Sequence, residues 1–398
     1  MKITRIDCHV LLVLDYDTQA CSSAQDDLVV EIHTDEGLVG MGETDTNPWI
    51  ARECIQARGT HCMGLGLQEM LLGSDPLEPA ALWNRLYSGS KMTGRRGALI
   101  CAMGAIDMAL WDIRGQALGQ PVWKLLCDDE SAGISGAGDA RPVVPYASLL
   151  ATGHTIDEQR ASLVDKALRA QALGFRAAKL EVCINGPYSH NGLQEDDAHV
   201  VEMVAACRAA VGPAFTLMVD VAYAWPSAEH ALRVLEQLAP FDLFFLETPI
   251  DIDDVEGYAM LAERSPIRIA AGEWQNTHWE FEELADRGGL AVLQPDVGRV
   301  GGFTAARKVC QIAKQRGRLI VPHCWKSMIG ITASAHLAAA TDVCPYVEFL
   351  PAELAESPLR RELVREEFSL VDGAIRLSDR AGLGCDLNRE ALARFAAD

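Results

Sequence analysis

The sequence lacks an excess of positive charge. Lys and Arg number 35 against 56 Asp and Glu, a formal net charge of −21. A surface this acidic repels phosphate backbones and anionic headgroups, which argues against nucleic acid and membranes as partners. A small anionic substrate is not excluded, because a bound metal and a few cations reverse the field inside a cleft. No run of about 18 apolar residues occurs, so no segment is read as spanning a bilayer. The apolar run from His9 to Leu14 stops at Asp15 and Asp17. It has neither the length nor the cleavage site of a secretory leader. The 12 cysteines lack metal-type or disulfide-type spacing; Cys8, Cys21, Cys54, Cys62 and Cys101 are scattered. A reduced, cytoplasmic setting is the expectation.

What is present is the composition of a globular enzyme, 49% hydrophobic and 23% charged. At 398 residues the chain exceeds one ordinary core, so one large barrel with a second unit is expected. Residues 1 to about 45 alternate in strand fashion. Asp27–Thr34 and Leu38–Glu43 flank the turn Asp35-Glu36-Gly37 and read as an antiparallel hairpin. The polar stretch Asp15–Asp26 reads as a mobile loop, and Trp49, after Asn47-Pro48, as part of a second one. From Ala51 to about Leu126 the pattern is helical. Its clearest piece is Ala98–Leu118, stopped by Gly119-Gln120-Pro121.

A Gly-, Ala- and Ser-rich linker is read over Asp128–Asp139. A βα repeat follows, with strands at Val143–Ser148, Ala177–Val182, Phe215–Val219, Leu243–Leu246, Ile267–Ala271, Ala291–Leu293, Leu319–Val321 and Tyr346–Phe349. Eight strands with helices between them is a barrel count. The clearest helices are Ile156–Leu173 and Asp197–Val211. After about Pro351 the repeat breaks; Gly373–Leu377 reads as a strand returning to the N-terminal unit. The expected division is a cap over 1–128, a barrel over 140–350 and a tail over 351–398 that completes the cap.

Three strands end in a carboxylate: Asp220 after Phe215–Val219, Glu247 after Leu243–Leu246, and Glu273 after Ala271-Gly272. They lie 27 and 26 residues apart, one βα unit each. The C-terminal ends of barrel strands carry chemistry. Three carboxylates brought together repel and need a cation, and oxygen-only donors suit Mg²⁺. One such ion per chain is expected. In Lys179-Leu180-Glu181, Lys179 and Glu181 point the same way by strand alternation. Strand six ends at Asp296 and strand seven at His323, so an aspartate orients an imidazole as a general base. Glu348 on strand eight is expected as an acid or oxyanion donor at the mouth. Trp325 and Lys326, just past His323, are expected to shape the substrate or bind its distal anion. Together these groups suit proton abstraction next to a carboxylate, whose dianionic intermediate needs a metal and fixed donors.

Taken together, these residues resemble the enolase superfamily, mandelate racemase/muconate lactonizing enzyme branch. The likeness is carried by Ala105-Ile106-Asp107-Met108-Ala109-Leu110-Trp111-Asp112-Ile113 with Gly119-Gln120-Pro121-Val122, by Glu247-Thr248-Pro249, by Gln294-Pro295-Asp296 with His323, and by Gly298-Arg299-Val300-Gly301-Gly302. The resemblance implies a modified TIM barrel, (β/α)7β, with an α+β N-terminal capping domain whose loops set specificity, and homo-oligomers from dimer to octamer. It also implies Mg²⁺ on Asp220, Glu247 and Glu273, the dyad His323–Asp296, and Glu348 as the strand-eight acid. Two positions depart from the family pattern. Its strand-two signature is usually Lys-x-Lys with the second Lys as base, where Glu181 stands here. It often has Asn two residues after the aspartate ligand, where Ala222 stands here. Glu181 is left to position substrate or Lys179, and Lys179 to act as a second base or not. One retained base implies a one-sided reaction on a hydroxy-carboxylate. Dehydration of a sugar acid to a 2-keto-3-deoxy acid leads; epimerase, racemase or lactone cycloisomerase, and a non-catalytic ligand-binding barrel, are the alternatives.

Overall fold

A computed structural model of the chain describes residues 1–18, 20–128, 141–355 and 357–397. The stretch read as a linker lies, from residue 129 on, outside the described residues. The chain opens with a three-stranded antiparallel sheet of β1 (Ile3–Leu12), β2 (Asp26–Thr34) and β3 (Val39–Thr44). The hairpin expected there pairs Leu28 with Thr44 and His33 with Val39. Helices α1 (Pro48–Gln56), α2 (Leu67–Leu71), α3 (Pro79–Gly89), α4 (Ala98–Leu118) and α5 (Val122–Asp128) follow. Asn47-Pro48 is a helix start, not a loop. The Asn47 side chain accepts from Ile50 N at 3.2 Å, and Pro48 takes the first helical position.

Helix α4 occupies the span its sequence predicts. Its spacing implies one buried stripe, yet it is buried on every side from Leu99 to Ile113. The cap sheet covers one side and the barrel the other. Both approaches are too close for a side chain. A Cβ on Gly42 would stand 2.1 Å from Ala105 O, and one on Gly104 would stand 2.0 Å from Gly298 O. Two buried acids of α4 tie the layers together. Asp107 accepts from Thr304 N (2.8 Å) and Thr304 Oγ1 (2.6 Å) in the barrel. Asp112 accepts from Met41 N (3.0 Å) in the cap and Leu383 N (2.8 Å) in the tail.

The barrel strands are β4 (Pro145–Leu150), β5 (Ala177–Glu181), β6 (Thr216–Asp220), β7 (Leu243–Glu247), β8 (Ile269–Ala271), β9 (Val292–Leu293), β10 (Leu319–Ile320) and β11 (Val347–Phe349). Each lies where the βα repeat predicts a strand. Neighbours pair in parallel, in the order β10-β9-β8-β7-β6-β5-β4-β11. The ring closes between β10 and β11 through Ile320 N donating to Val343 O (2.8 Å) and Glu348 N to Pro322 O (3.4 Å). The crossovers carry α6 (Ile156–Ala172), α7 (Asp197–Val211), α8 (Ala228–Leu238), α9 (Val255–Arg264), α10 (Thr277–Asp286), the pair α11 (Val297–Val300) and α12 (Phe303–Gln315), and α13 (Met328–Ala339). With β11 as its last strand, the barrel is (β/α)7β capped by an α+β unit. Among the described residues no helix is long and apolar enough to cross a membrane.

The tail holds α14 (Pro358–Glu362), β12 (Leu370–Val371), β13 (Ala374–Ile375) and α15 (Arg389–Phe395). The segment Gly373–Leu377 does not return to the N-terminal sheet. Ile375 pairs with Leu370 in a tail hairpin and bridges Val143, just before the first barrel strand. Val143 is thereby taken out of β4. Contact with the cap is made instead by Gly382-Leu383, on Gln120, Val122 and Asp112, and by α15. Ala397 N donates to Val10 O at 2.8 Å, and the guanidinium of Arg389 grips both oxygens of Glu31 at 2.6 Å.

Burial pushes the Glu31 carboxyl up, but hydrogen bonds from His9 and Arg389 outweigh it and hold it down to about 2. A depressed carboxyl stabilises the fold above its ordinary pKa of 4.5 and loses that contribution as pH falls from there toward 2. Arg389 is half-exposed, so screening discounts the pair. Arg389→Ala is therefore expected to cost about 1–2 kcal/mol at pH 7. Melting curves should show the gap from wild type closing between pH 4.5 and pH 2; a gap independent of pH would contradict this role for Glu31.

Candidate active site

The site follows from the layering of the barrel. Seven side chains, Tyr146, Ala177, Met218, Phe245, Ala270, Val292 and Val321, form one buried interior cluster, with Tyr346 packed against it. Side chains two residues on point the same way. Those positions are Ser148, Lys179, Asp220, Glu247, Gly272, Gln294, His323 and Glu348. An apolar floor thus carries a polar ring one layer above it, at the C-terminal ends of the strands. At β8 the ring position is Gly272, with φ +131°. A Cβ there would strike Phe281 at 2.6 Å, so the carboxylate comes one residue later, as Glu273.

Lys179 stands at the centre of the ring, 1% exposed. Its Nζ lies 2.8 Å from Glu348, 3.1 Å from both oxygens of Glu247, 3.4 Å from Glu181 and 3.6 Å from Asp220. Burial disfavours the ammonium, but Glu181, Glu247 and Glu348 outweigh it and push the amine well above its ordinary range. Strand register sets Glu181 beside Asp220 and Asp220 beside Glu247. Asp220 Oδ1 accepts from Thr248 Oγ1 (2.6 Å) and Ala222 N (2.9 Å). Burial raises the Glu247 carboxyl to about 8, with Lys179 pulling it down and Asp220, Glu348 and Glu273 pushing it up. Burial likewise raises Glu273 and, well above its ordinary value, Glu181.

One cation therefore faces more carboxylate than it can neutralise. Glu247 Oε2 is buried with no partner beyond its 3.1 Å ion pair with Lys179, which three other carboxylates share, a costly state for a carboxylate oxygen. Asp220, Glu247 and Glu273 offer a hard, oxygen-only donor set of the kind that holds a divalent cation. Among the described residues, the group whose ligand atoms all lie within 4.8 Å of one another is a different one, Asp45, Asp296 and His323. It suits a cation poorly. Arg299 Nη2 pairs with Asp45 Oδ2 and Lys326 Nζ lies 3.1 Å from Asp45 Oδ1. These two cations, acting against burial, hold the Asp45 carboxyl down at about 2.

His323 Nδ1 lies 2.8 Å from Asp296 Oδ2. Asp296 is itself fixed as the N-cap of α11, its Oδ1 accepting from Gly298 N (2.8 Å) and Arg299 N (3.1 Å). With Nδ1–H given to Asp296, Nε2 is the atom left to take a proton. It stands 3.1 Å from Glu273 and 3.9 Å from Glu348. Burial lowers the imidazole, but Glu348, Asp296 and Glu273 outweigh it and raise it to about 9. A cation shared by Glu273 would weaken that pull.

Glu348, expected as an acid or donor at the mouth, lies beneath it with no exposed surface. It accepts from Ser148 Oγ (2.7 Å), Cys324 N (2.8 Å) and Lys179. Despite burial, Lys179 and His323 hold its carboxyl below the usual range. It lies between Lys179 and His323 and accepts hydrogen bonds on both oxygens. The catalytic cavity, about 170 Å³, is lined by Lys179, Glu181, Asp220, Glu273, Arg299 and His323 among others. Trp325 also lines it and donates from Nε1 to Ser22 Oγ at 3.1 Å. A larger cavity of about 870 Å³ adjoins it between the 13–27 loop and the tail.

Of the expected substrate residues, Lys326 lines the larger cavity and Trp49 does not. Trp49 lines neither cavity; it begins α1 and packs half-buried on the core. Lys326 spends its ammonium on the 22–26 loop and its neighbour Asp45, donating to Ser23 O, Asp26 O (2.8 Å) and Asp26 Oδ1 (2.6 Å). The 22–26 end of the loop read as mobile is thus held across the mouth, also by Trp325 and by Ser357 Oγ on Ala24 O (2.5 Å). Arg299, Asp45, Ser148, Tyr223 and Trp274 were missed. Ser148 had a signal, since it ends the expected strand Val143–Ser148 in phase with the other ring residues. Arg299 had one too, three residues after Asp296.

Comparison with known proteins gives the same frame. The enolase C-terminal domain-like family matches residues 162–391. The mandelate racemase / muconate lactonizing enzyme N-terminal domain matches residues 17–127. A D-galactarolactone cycloisomerase of Agrobacterium fabrum is 29% identical over 99% of both chains. An arabinonate dehydratase of Saccharolobus solfataricus is 29% identical over 90% of this chain and 87% of its own. The crystal structure of a Streptomyces coelicolor racemase with bound magnesium superposes with a TM-score of 0.81 at 27% identity, covering 99% of this chain and all of the other.

Asp296→Asn keeps the shape of the dyad and reverses the hydrogen bond that sets the imidazole tautomer. Turnover is expected to fall by roughly 10²–10⁴-fold, with the melting temperature nearly unchanged. Lys326→Ala should instead free the 22–26 loop, raising its protease sensitivity and KM more than it lowers kcat. Equal effects of the two substitutions on kcat would contradict these separate roles.

Proposed function

The chain belongs to the mandelate racemase / muconate lactonizing enzyme branch of the enolase superfamily, and from that premise we propose that it removes the proton α to a substrate carboxylate and expels the β-oxygen. On a sugar acid whose β-oxygen is a free hydroxyl, the outcome is dehydration to a 2-keto-3-deoxy acid. The observation that carries this reading is the one-sidedness of the site. His323 presents Nε2 to the cavity with Asp296 behind it. Opposite stands Glu181, not a second lysine, and Lys179 is already engaged by four carboxylates. A site with one base facing the cavity suits elimination better than inversion at carbon, which needs a proton donor on the other face.

Asp220, Glu247 and Glu273 would hold one Mg²⁺, which supplies a Lewis acid for the substrate carboxylate and the charge that develops on it. Lys179 fixes the positions of Glu247 and Glu348 and adds positive charge beneath the carboxylate. His323 Nε2 takes the α-proton while Asp296 holds Nδ1–H and stabilises the imidazolium. The electron pair released from the C–H bond moves toward the β-carbon as the C–O bond breaks. The imidazolium returns its proton to the departing oxygen, so water leaves and the enol formed becomes the ketone. Trp325 and the clamped 22–26 loop exclude bulk water from the cavity.

A panel of sugar acids with Mg²⁺ in D₂O, followed by NMR, tests this reading. One substrate is expected to yield a keto acid, and chelator should stop it. His323→Asn should abolish both keto-acid formation and α-proton exchange while leaving the fold intact. Inversion of configuration with no keto acid would overturn elimination.

A further inference from the structure

The mechanism leaves one feature of the catalytic cavity unused. Tyr188, Tyr223 and Trp274 line it together. The Tyr223 and Trp274 rings stack with centroids 4.2 Å apart at 26°. Tyr188 meets Trp274 edge-on at 5.1 Å and 89°, and Tyr223 at 6.1 Å and 75°. Tyr223 is buried, whereas Trp274 is 40% exposed and Tyr188 41%. The buried ring therefore backs one face of the indole, and the other two rings present surface. The two open rings stand together on one cavity wall and are not scattered singly over the surface.

The backbone is arranged to seat this corner. Ala222 and Tyr223 both adopt left-handed φ, 47° and 59°, which non-glycine residues seldom do, and two in succession more rarely still. They are held there by Ala222 N on Asp220 Oδ1 (2.9 Å) and Tyr223 N on Thr248 O (2.6 Å). Trp274 directly follows Glu273. The corner is thus anchored at both ends to the carboxylate ring, and it stands where the family's asparagine is replaced by Ala222.

An aromatic face is electron-rich and attracts polarised C–H bonds. An open-chain polyhydroxy acid carries hydroxyls along both sides and offers no such face. A ring gathers C–H bonds on one side. The rest of the cavity, with Ser22, Ser23, Lys179 and Arg299, suits hydroxyls and a carboxylate, not an aryl group. We propose that Tyr188, Tyr223 and Trp274 form a wall that seats the C–H face of a sugar ring. The site then prefers sugar acids whose leaving oxygen belongs to a ring, a lactone or cyclic ether, over open-chain acids of the same carbon count. The inference rests on the elimination reading above. The chemistry balances without loss of atoms: His323 takes the α-proton, the C–H pair forms the double bond, the ring C–O bond breaks, and the freed oxygen takes the proton. The product is an open-chain isomer that ketonises.

The test compares hexarate 1,4-lactones and 3,6-anhydrohexonates with open-chain hexarates and hexonates, by NMR with Mg²⁺, for wild type, Trp274→Ala, Trp274→Phe and Tyr188→Ala. Wild type should favour a ring substrate by at least about tenfold in kcat/KM. Trp274→Ala should lose about tenfold on that substrate, through KM with kcat largely kept, and little on open-chain acids. Trp274→Phe should restore most of the loss, and Tyr188→Ala should share it in part. Equal use of both classes by wild type, or equal losses on both, overturns the wall and leaves elimination standing. Silence on every acid overturns elimination and the wall with it.

Discussion

A single ammonium among four carboxylates is the constraint on which the rest of the structure depends. Lys179 lies within 3.6 Å of Glu181, Asp220, Glu247 and Glu348, all of them buried. Burying a charge without a partner is prohibitive, and burying four of one sign against one of the other is little better. The barrel bears this because three of the four carboxylates are also held from the side, Asp220 by Thr248, Glu181 by Ser148, and Glu348 by Ser148 and Cys324 N. The residue of negative charge is what a divalent cation and an anionic substrate would share between them. A chain of net charge −21 can therefore hold a site for an anion, since the field that matters is local.

The cap is bound into the same charge system. Arg299 reaches from α11 to Asp45 in the cap and to the backbone oxygen of Glu273 at 3.2 Å. Lys326 reaches from the loop after β10 to Asp26 and Asp45. The close approach of α4 to Gly298 sets the distance at which this happens. Asp296, whose carboxylate orients His323, belongs to the same turn as Arg299. Misplacing the cap would thus disturb the base as well as the mouth.

How much of this was legible depends on whether the determinant is local. Strand ends were readable because alternation and a repeat of about one βα unit are local patterns, so Asp220, Glu247, Asp296 and His323 could be found from spacing. The place of Lys326 beside the cavity was readable from its nearness to His323, but its partners, 300 residues away on the 22–26 loop, were not. Glu348 was readable as a strand-eight carboxylate, but its full burial was not, since that depends on Lys179 and Ser148 on other strands. Trp49 failed for a local reason: Asn47-Pro48 resembles a turn yet is a helix cap. Gly373–Leu377 was a strand without a readable partner, because register between distant segments leaves no mark in either. The aromatic corner was invisible, as its left-handed turn at Ala222 and Tyr223 carries no glycine.

The claim that the surplus charge of the Asp220–Glu247–Glu273 set holds the metal is tested most directly by Mn²⁺ titration followed by electron paramagnetic resonance. Wild type is predicted to bind one ion per chain, Glu247→Gln to lose it, and Asp45→Asn to keep it. Binding retained in Glu247→Gln and lost in Asp45→Asn would contradict the assignment and move the ion to the Asp45–Asp296–His323 cluster.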